Sequence, residues 1–300
     1  MEQRKENMLA FMAHYEFPTA AVKTVLWAWE TLLRDEKSRK TLERAFLIYE
    51  NGWMFDHKSQ LEILIPVAQR CRIPVETVHL VYILGLMEPL RQRYAQRGIP
   101  EDVYWNSMLD VRCKLLECRQ VRKLWGLSVA YWYERFLKLT RFALGRLQFE
   151  LRFAPMDMER GSLRVEAGQP VVNMHIPSCG PLNREECEES FRRAYKWFLP
   201  AFPGGCIPFY CGSWLLAPEH ETMLPPESNI RKFMDFFRLY PTESTVEGNL
   251  WRIFGTESKE FSIFPRDTGL RRIYAEALDR GEMPHVGKGV FFMQDGKRLP

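Results

Sequence analysis

The hydrophobic pattern of this chain changes its period near the middle. Up to about residue 143 the apolar residues recur at helical spacing, as in Val22, Val25, Trp29 and Leu32. From Leu147 to Phe153 apolar and polar residues alternate instead, which is typical of a strand. We therefore expect an all-helical domain at residues 1–143 and a second domain with a mixed sheet at residues 144–300, an α+β chain overall.

The segments of the second domain alternate between strand and helix patterns. Strands are expected at 147–153, 171–176, 207–216, 250–254 and 290–293, with a hairpin that joins 163–166 to 171–176. Helices are expected at 183–200, 228–240 and 268–280, and the aromatic segment 131–144 closes the helical domain.

Charge and hydropathy restrict the partners. The chain has 42 basic and 38 acidic residues and a net charge of +4, too balanced to demand a nucleic-acid or membrane partner. No signal-peptide core follows the charged N-terminus. The longest apolar run, Leu80 to Met87, is too short to span a bilayer. We expect a soluble, cytoplasmic protein without a membrane partner.

The cysteines predict free thiols and no metal site. Their number, seven, is odd, and nothing directs the chain to an oxidising compartment. Neither the Cys113/Cys118 pair nor the Cys206/Cys211 pair has zinc-site spacing, and no histidine pair accompanies them.

The segment from Val171 to Asn183 predicts a strand, a tight loop and the start of a helix. The apolar run to Ile176 suits a central strand, and Pro177 and the Cys-Gly-Pro group end it. Asn183 fits a helix N-cap, with Glu186 placed for a capping box. Such a junction directs several backbone N–H groups at one point, where phosphate or an oxyanion can bind.

Two interpretations of this junction stay open. Backbone amides of residues 178–183 form an anion cradle, or the segment is an ordinary connection. Four glutamates early in the helix favour the ordinary connection, and the segment lacks the spacing of a P-loop or a dinucleotide fingerprint. They are Glu185, Glu186, Glu188 and Glu189.

Four motifs in fixed order resemble a known family. They are Leu144-Gly-Arg-Leu-Gln-Phe149, His175-Ile-Pro-Ser-Cys-Gly-Pro-Leu182, Gly212-Ser-Trp-Leu-Leu216 and Ser228-Asn-Ile230. Together they resemble a bacterial two-domain acyltransferase-like group, in which a helical N-acyltransferase N-terminal domain precedes a GNAT-like C-terminal domain. The resemblance covers nearly the whole chain.

The resemblance implies an acyl-CoA co-substrate. In the GNAT fold a central strand binds the pantetheine arm, and the following loop and helix N-terminus hold the pyrophosphate. The corresponding residues here are Met174, Ile176, Ser178, Cys179, Gly180, Leu182 and Asn183. Two departures stand out: the signature Gln/Arg-x-x-Gly-x-Gly/Ala is absent, and Gly212 occupies a position where the group commonly has histidine.

Acyl transfer to an amine or another small-molecule acceptor needs a base and an acid near a strand end. His175 is the first candidate base, although a buried, backbone-bonded histidine fits as well. Glu150 is a base candidate if burial raises its pKa, although the alternation places it equally well on a solvated face. Cys211, beside Ser213, could form a nucleophilic pair with His175 but is more typical of packing. Tyr240, expected at a helix end, is the candidate acid.

Two other classes of function remain. A catalytically inactive GNAT fold could sense ligands or bind proteins, which the absent signature favours. Basic residues on a probable helix at 112–123 could contact nucleic acid, but a solvated helix face explains them better.

Overall fold

The computed structural model describes residues 1–52 and 55–299. It divides into two compact units, Met1–Thr140 and Arg141–Pro300. The expected class, a helical N-terminal region followed by a domain with a mixed sheet, is confirmed. None of the described helices is both long and apolar enough to cross a bilayer.

The first unit is a helical bundle around one central helix. Its helices are α1 (Glu2–His14), α2 (Thr19–Arg34), α3 (Glu36–Asn51), α4 (His57–Cys71), α5 (Val75–Gln96), α6 (Glu101–Arg122) and the short α7 (Glu134–Leu137). Proline begins three of them: Pro18, Pro74 and Pro100 occupy the N-cap positions of α2, α5 and α6. Residues on every side of α5 are buried, because α1, α2, α3, α4 and α6 all pack against it.

The second unit is built on a mixed sheet. The strands are β1 (Arg141–Ala143), β2 (Gln148–Phe153), β3 (Met158–Arg160), β4 (Leu163–Val165), β5 (Pro170–His175), β6 (Ile207–Ser213), β7 (Arg238–Tyr240), β8 (Gly287–Gln294) and β9 (Lys297–Arg298). The main sheet has the order β1-β2-β5-β6-β8-β7, with β9 beside β8. Only β5 and β6 run parallel; the other described pairs are antiparallel.

Helices cover this sheet and fill the connection between β6 and β8. They are α8 (Arg184–Phe198), α9 (His220–Met223), α10 (Asn229–Met234), α11 (Leu250–Phe254) and α12 (Gly269–Asp279). The apolar face of the sheet lies under α8, where Phe191 contacts Phe209 and Phe291 at centroid distances of 6.4 and 4.8 Å. The β3–β4 hairpin covers one end of the opposite face, packing Met158 and Val165 on Val171.

Four local predictions are wrong. Residues 131–144 form a 3-10 turn, the short α7 and strand β1 rather than one helix. The expected hairpin between 163–166 and 171–176 does not form, because β4 pairs with β3 and β5 pairs with β2. The apolar run 250–254 is helix α11, and the 228–240 segment ends as strand β7. The run 250–254 and the end of the 228–240 segment are short, and their apolar residues fit either period.

Candidate active site

The two parallel strands part at their carboxyl ends. The β5–β6 ladder includes the pairs Val172–Phe209 and Asn173–Tyr210, and among the described residues no further pair joins these strands. Yet β5 continues to His175 and β6 to Ser213, each paired on its outer side with β2 or β8. Beyond these pairs the backbone N–H and C=O groups on the two inner edges form no further ladder with each other in the described residues, so an extended ligand could add strand-like hydrogen bonds there.

His175 lies at this parting, in contact with a buried carboxylate. Its Nε2 is 2.8 Å from Oε1 of Glu150 on β2. Arg141, directly opposite Glu150 on β1, donates from Nη2 to the same oxygen at 3.1 Å, and Asn173 Nδ2 donates to it at 3.3 Å. The side chains of Glu150 and Arg141 are only 3% and 5% exposed, whereas that of His175 is 23% exposed. The imidazole thus stands between a buried ion pair and solvent.

The electrostatics of Glu150 overturn the expectation of a raised pKa. Burial alone raises the pKa of this carboxyl, but the hydrogen bond from His175 and the charge of Arg141 outweigh burial and lower the pKa to about 2. Glu150 is therefore a carboxylate at neutral pH. It can orient the His175 ring and stabilise an imidazolium, but its proton affinity is too low for a general base.

Arg146 shapes the loop that follows β5. Its guanidinium donates from Nη1 to the carbonyl of Pro177 at 3.0 Å, from Nη2 to that of Gly180 at 2.6 Å and from Nε to that of Pro181 at 2.9 Å. In a trans peptide the N–H group points opposite to the C=O group, and none of the peptide bonds that the structure describes is cis. The amide N–H groups of Ser178 and Leu182 therefore point away from Arg146.

A glycine turn positions Arg146. The turn between β1 and β2 includes Gly145, whose φ of 92° favours glycine. A Cβ at Gly145 would lie 2.8 Å from Oγ of Ser190 on α8, and the same hydroxyl accepts the N–H of Leu147 at 3.3 Å. This close approach fixes the turn against α8, so that the Arg146 side chain reaches the loop at the start of the same helix.

The start of α8 lacks the expected capping box. Asn183 does occupy the N-cap position, but its side chain accepts no hydrogen bond from the first turn. The glutamates are partly neutralised, because Glu188 pairs with Arg184 at 3.1 Å and Glu189 with Arg192 at 2.9 Å. The first-turn amides and Arg146 contribute positive charge at the loop end of α8, where the first turn also carries Glu185 and Glu186.

The remaining candidates lie apart from this polar cluster. Burial raises the pKa of the Cys211 thiol to about 12, and β6 turns this side chain to the face opposite Tyr210. Tyr240 lies on β7, where its hydroxyl donates to the Glu159 carbonyl at 2.8 Å and accepts the Glu159 N–H at 2.7 Å. Its hydroxyl therefore holds β3 beside β7.

The candidate cofactor-binding residues differ in burial along the end of β5 and the loop that follows it. Met174 and Leu182 are buried, Ile176, Cys179 and Asn183 are half-buried, and Ser178 and Gly180 are exposed. Gly180 has a φ of 136°, which side chains rarely adopt. The described residues contain no group of three or more histidine, cysteine or acidic side chains that could hold a metal ion.

Sequence reasoning missed three residues. Arg141 lies in a segment expected to be helical, and the position of Arg146 in a turn gives no sign of its three carbonyl contacts. Tyr210 is the parallel neighbour of Asn173 and shares a sheet face with it. Burial and the adjacent Cys211 raise the pKa of Tyr210 to about 12. The alternation of side chains along β6 could have identified Tyr210, because it places Tyr210 on the opposite face of the sheet from the buried Phe209.

Two family models together match nearly the whole chain. Residues 6–139 match the N-acyltransferase N-terminal domain, and residues 141–291 match the GNAT-like C-terminal domain. The chain belongs to this two-domain N-acyltransferase family. The resemblance noted from its motifs is thereby confirmed.

Solved structures share the fold of this family member over nearly its full length. An acyltransferase mutant in complex with octanoyl-CoA has 24% identity and a TM-score of 0.76, covering 98% of this chain and 88% of its own. An acyltransferase in complex with decanoyl-CoA and teicoplanin has 23% identity and a TM-score of 0.74, with the same coverage. A complex with CoA and 10C-teicoplanin has 23% identity and a TM-score of 0.75, covering 95% and 86%. A search of curated proteins gave no match.

Proposed function

We propose that this protein transfers an acyl group from acyl-CoA to an amine or a similar small nucleophile. The observation that carries the proposal is the parting of β5 and β6 beyond Asn173 and Tyr210, directly beside a loop that Arg146 holds at the start of α8. An open pair of strand edges and a positive helix end suit a ligand with an extended amide arm and a diphosphate. Acyl-CoA is such a ligand.

The co-substrate would lie along β5 and the loop. The two amides of the pantetheine arm would bond to the backbone at Met174 and Ile176. The pyrophosphate would bind amides of the loop and the first turn of α8, at Ser178, Cys179, Gly180, Leu182 and Asn183. Arg146 supports this arrangement because its contacts with loop carbonyls direct the Ser178 and Leu182 amides away from itself.

His175 would act as the base. It removes one proton from the attacking amine while the nitrogen forms a bond to the thioester carbonyl carbon. Since Nε2 contacts Glu150, the proton would be taken at Nδ1, and the Glu150 carboxylate would stabilise the resulting imidazolium. The tetrahedral intermediate then breaks its C–S bond, and CoA leaves as a thiolate that accepts a proton.

Tyr210 would supply the proton to the departing thiolate. Its hydroxyl lies beside Gly212 at the carboxyl end of β6, since a Cβ there would be 2.9 Å from Tyr210 Oη. Tyr240 was the acid expected from the sequence, but its hydroxyl is engaged in two hydrogen bonds with the backbone of Glu159. We therefore assign the acid role to Tyr210. A covalent intermediate on Cys211 is not part of the proposal, because a thiol with a pKa of about 12 is not a nucleophile at neutral pH.

The solved relatives guide the choice of substrates. They hold octanoyl-CoA, decanoyl-CoA and, in two complexes, teicoplanin or 10C-teicoplanin. We therefore propose acyl chains of medium length and a small-molecule acceptor with an amino group. A cytoplasmic location fits this proposal, because acyl-CoA is made and consumed inside cells.

A non-catalytic GNAT fold is the second candidate. It is favoured by Gly212, which brings no side chain to a position where the resemblance noted from the motifs implies a histidine. Such a protein would bind acyl-CoA without turning it over.

Turnover separates the two candidates. The protein is incubated with octanoyl-CoA and a panel of amines, including an aminoglycoside and a glycopeptide, and products are identified by mass spectrometry. An acylated amine, formed with release of an equal amount of CoA, would support the proposed acyltransferase activity. His175→Ala should lower the rate by roughly 100-fold or more, the usual contribution of a general base. His14→Ala, a histidine of α1, is the matched control. Binding without product would favour the non-catalytic protein.

A further inference from the structure

Three arginines from separate elements meet around Phe236. Arg160 ends β3 and donates from Nη1 to the Phe236 carbonyl at 2.6 Å. Arg298, on β9, donates from Nη1 to the same carbonyl at 3.0 Å. Arg184, the first residue of α8, places its Cζ 4.7 Å from the centroid of the Phe236 ring. The chain thus brings residues 160, 184 and 298 to one place.

The three arginines carry more positive charge than the two nearby carboxylates neutralise. Glu188 bonds to Nε of Arg184 at 3.1 Å, and Asp235 is the other carboxylate close enough to act on Arg298. Burial, followed by the charges of Arg160 and Arg184, lowers the pKa of Arg298. Holding three guanidinium groups close together beside two carboxylates costs free energy, because the like charges repel each other. An anionic ligand bound among the three groups would offset that cost.

We propose that Arg160, Arg184 and Arg298 bind the 3′-phosphate of acyl-CoA. The inference rests on the proposed function, which puts the CoA pyrophosphate at the loop and first turn of α8. Arg184 directly follows the N-cap Asn183, so the cluster begins where the pyrophosphate site ends. The ribose that carries the 3′-phosphate is joined to this pyrophosphate. A phosphate monoester dianion is also the part of CoA best matched to several guanidinium forks.

The test compares CoA with 3′-dephospho-CoA. Isothermal titration calorimetry with the unmodified protein should give roughly tenfold tighter binding of CoA, as expected for charge-assisted bonds to one phosphate. Arg160→Gln and Arg298→Gln should bring this ratio towards one by weakening CoA binding alone. Arg192→Gln removes a charge from the same helix outside the cluster and should keep the ratio.

Each alternative outcome has its own meaning. Equal affinity of the unmodified protein for both compounds would overturn the inference while leaving the proposed function in place. Equal weakening of both compounds in the variants would also overturn it, because the arginines would then only hold the Phe236 carbonyl. If neither compound binds, the proposed function itself fails, and this inference fails with it.

Discussion

Nε2 of His175 and Oε1 of Glu150 lie 2.8 Å apart, although the two residues are not directly opposite each other across β2 and β5. Glu150 faces Asn173, and His175 faces Gln148, so the contact is diagonal along one face of the sheet. Arg141 completes the arrangement from β1. The imidazole of His175, at the end of a central strand, is thereby hydrogen-bonded to the carboxylate of Glu150, which stays ionised.

The pH dependence of stability should report this carboxylate. The pKa of Glu150 falls from an ordinary 4.5 to about 2 on folding, so its ionised form stabilises the protein above pH 4.5. That stabilisation, up to about 3 kcal/mol, is lost as the pH falls from 4.5 towards 2. Urea unfolding at pH 6.5 and 3.5 should show a smaller acid-induced loss for Glu150→Gln than for the unmodified protein.

Glu159→Gln is the control for this experiment, since Glu159 pairs with Arg238 at the surface with its side chain 55% exposed. It should keep the full acid-induced loss. The same loss in Glu150→Gln as in the unmodified protein would show that Glu150 is not held ionised by its partners. Glu150→Gln should also be less stable at pH 6.5, because it leaves the buried Arg141 without a charged partner.

Arg146→Lys should weaken CoA binding without a change in fold. Lysine keeps the positive charge but cannot reproduce the planar fork that meets three carbonyls at once. We expect an affinity loss of roughly tenfold by titration calorimetry, the equivalent of one or two hydrogen bonds. Arg164→Lys, at an exposed ion pair with Asp157, should leave the affinity unchanged. Equal affinities in both variants would refute a role for Arg146 in the loop.

Cys211→Ala should retain acyl transfer. The thiol is fully buried, and its pKa of about 12 keeps it protonated at neutral pH. The rate should stay within roughly twofold of the unmodified protein, which is far less than the loss expected for His175→Ala. Detection of an acyl thioester on Cys211 by peptide mass spectrometry, together with an inactive alanine variant, would establish the covalent route instead.

The two tyrosines should separate catalysis from stability. Tyr240→Phe removes both hydrogen bonds to Glu159 and should lower the free energy of unfolding by about 1–2 kcal/mol with little change in kcat. Tyr210→Phe should leave stability nearly unchanged but lower kcat by roughly tenfold or more, because the thiolate loses its proton donor. Chemical unfolding and steady-state kinetics on both variants check this. The reverse pattern would return the acid role to Tyr240.

Long periodic segments were predictable from the sequence, and short ones were not. The pattern of Val25, Trp29 and Leu32 identified α2 because several turns repeat one apolar face, and all three side chains are buried. The five residues Leu250–Phe254 carry too little of either period, and they form helix α11 where a strand was expected. Hairpin pairing failed for a different reason: nothing local to 163–175 indicates that β5 pairs with the earlier β2.

The candidate site was predictable only in part. The strand–loop–helix junction was readable because Pro177, Gly180 and Asn183 mark its turns. The electrostatics were not, since the pKa of Glu150 depends on Arg141, which joins it through an antiparallel pairing nine residues apart in sequence. The three carbonyl contacts of Arg146 span 31 to 35 residues and leave no local pattern.

Thermal unfolding with and without CoA thioesters tests the central claim most directly. The protein is melted alone and with millimolar CoA, acetyl-CoA and octanoyl-CoA, alongside Ser178→Glu in the loop and Ser244→Glu as a control on another exposed segment. A ligand that binds only the native state must raise the melting temperature. We predict a clear increase, largest with octanoyl-CoA, that Ser178→Glu reduces and Ser244→Glu preserves. No increase with any of the three compounds would contradict an acyl-CoA site at this loop.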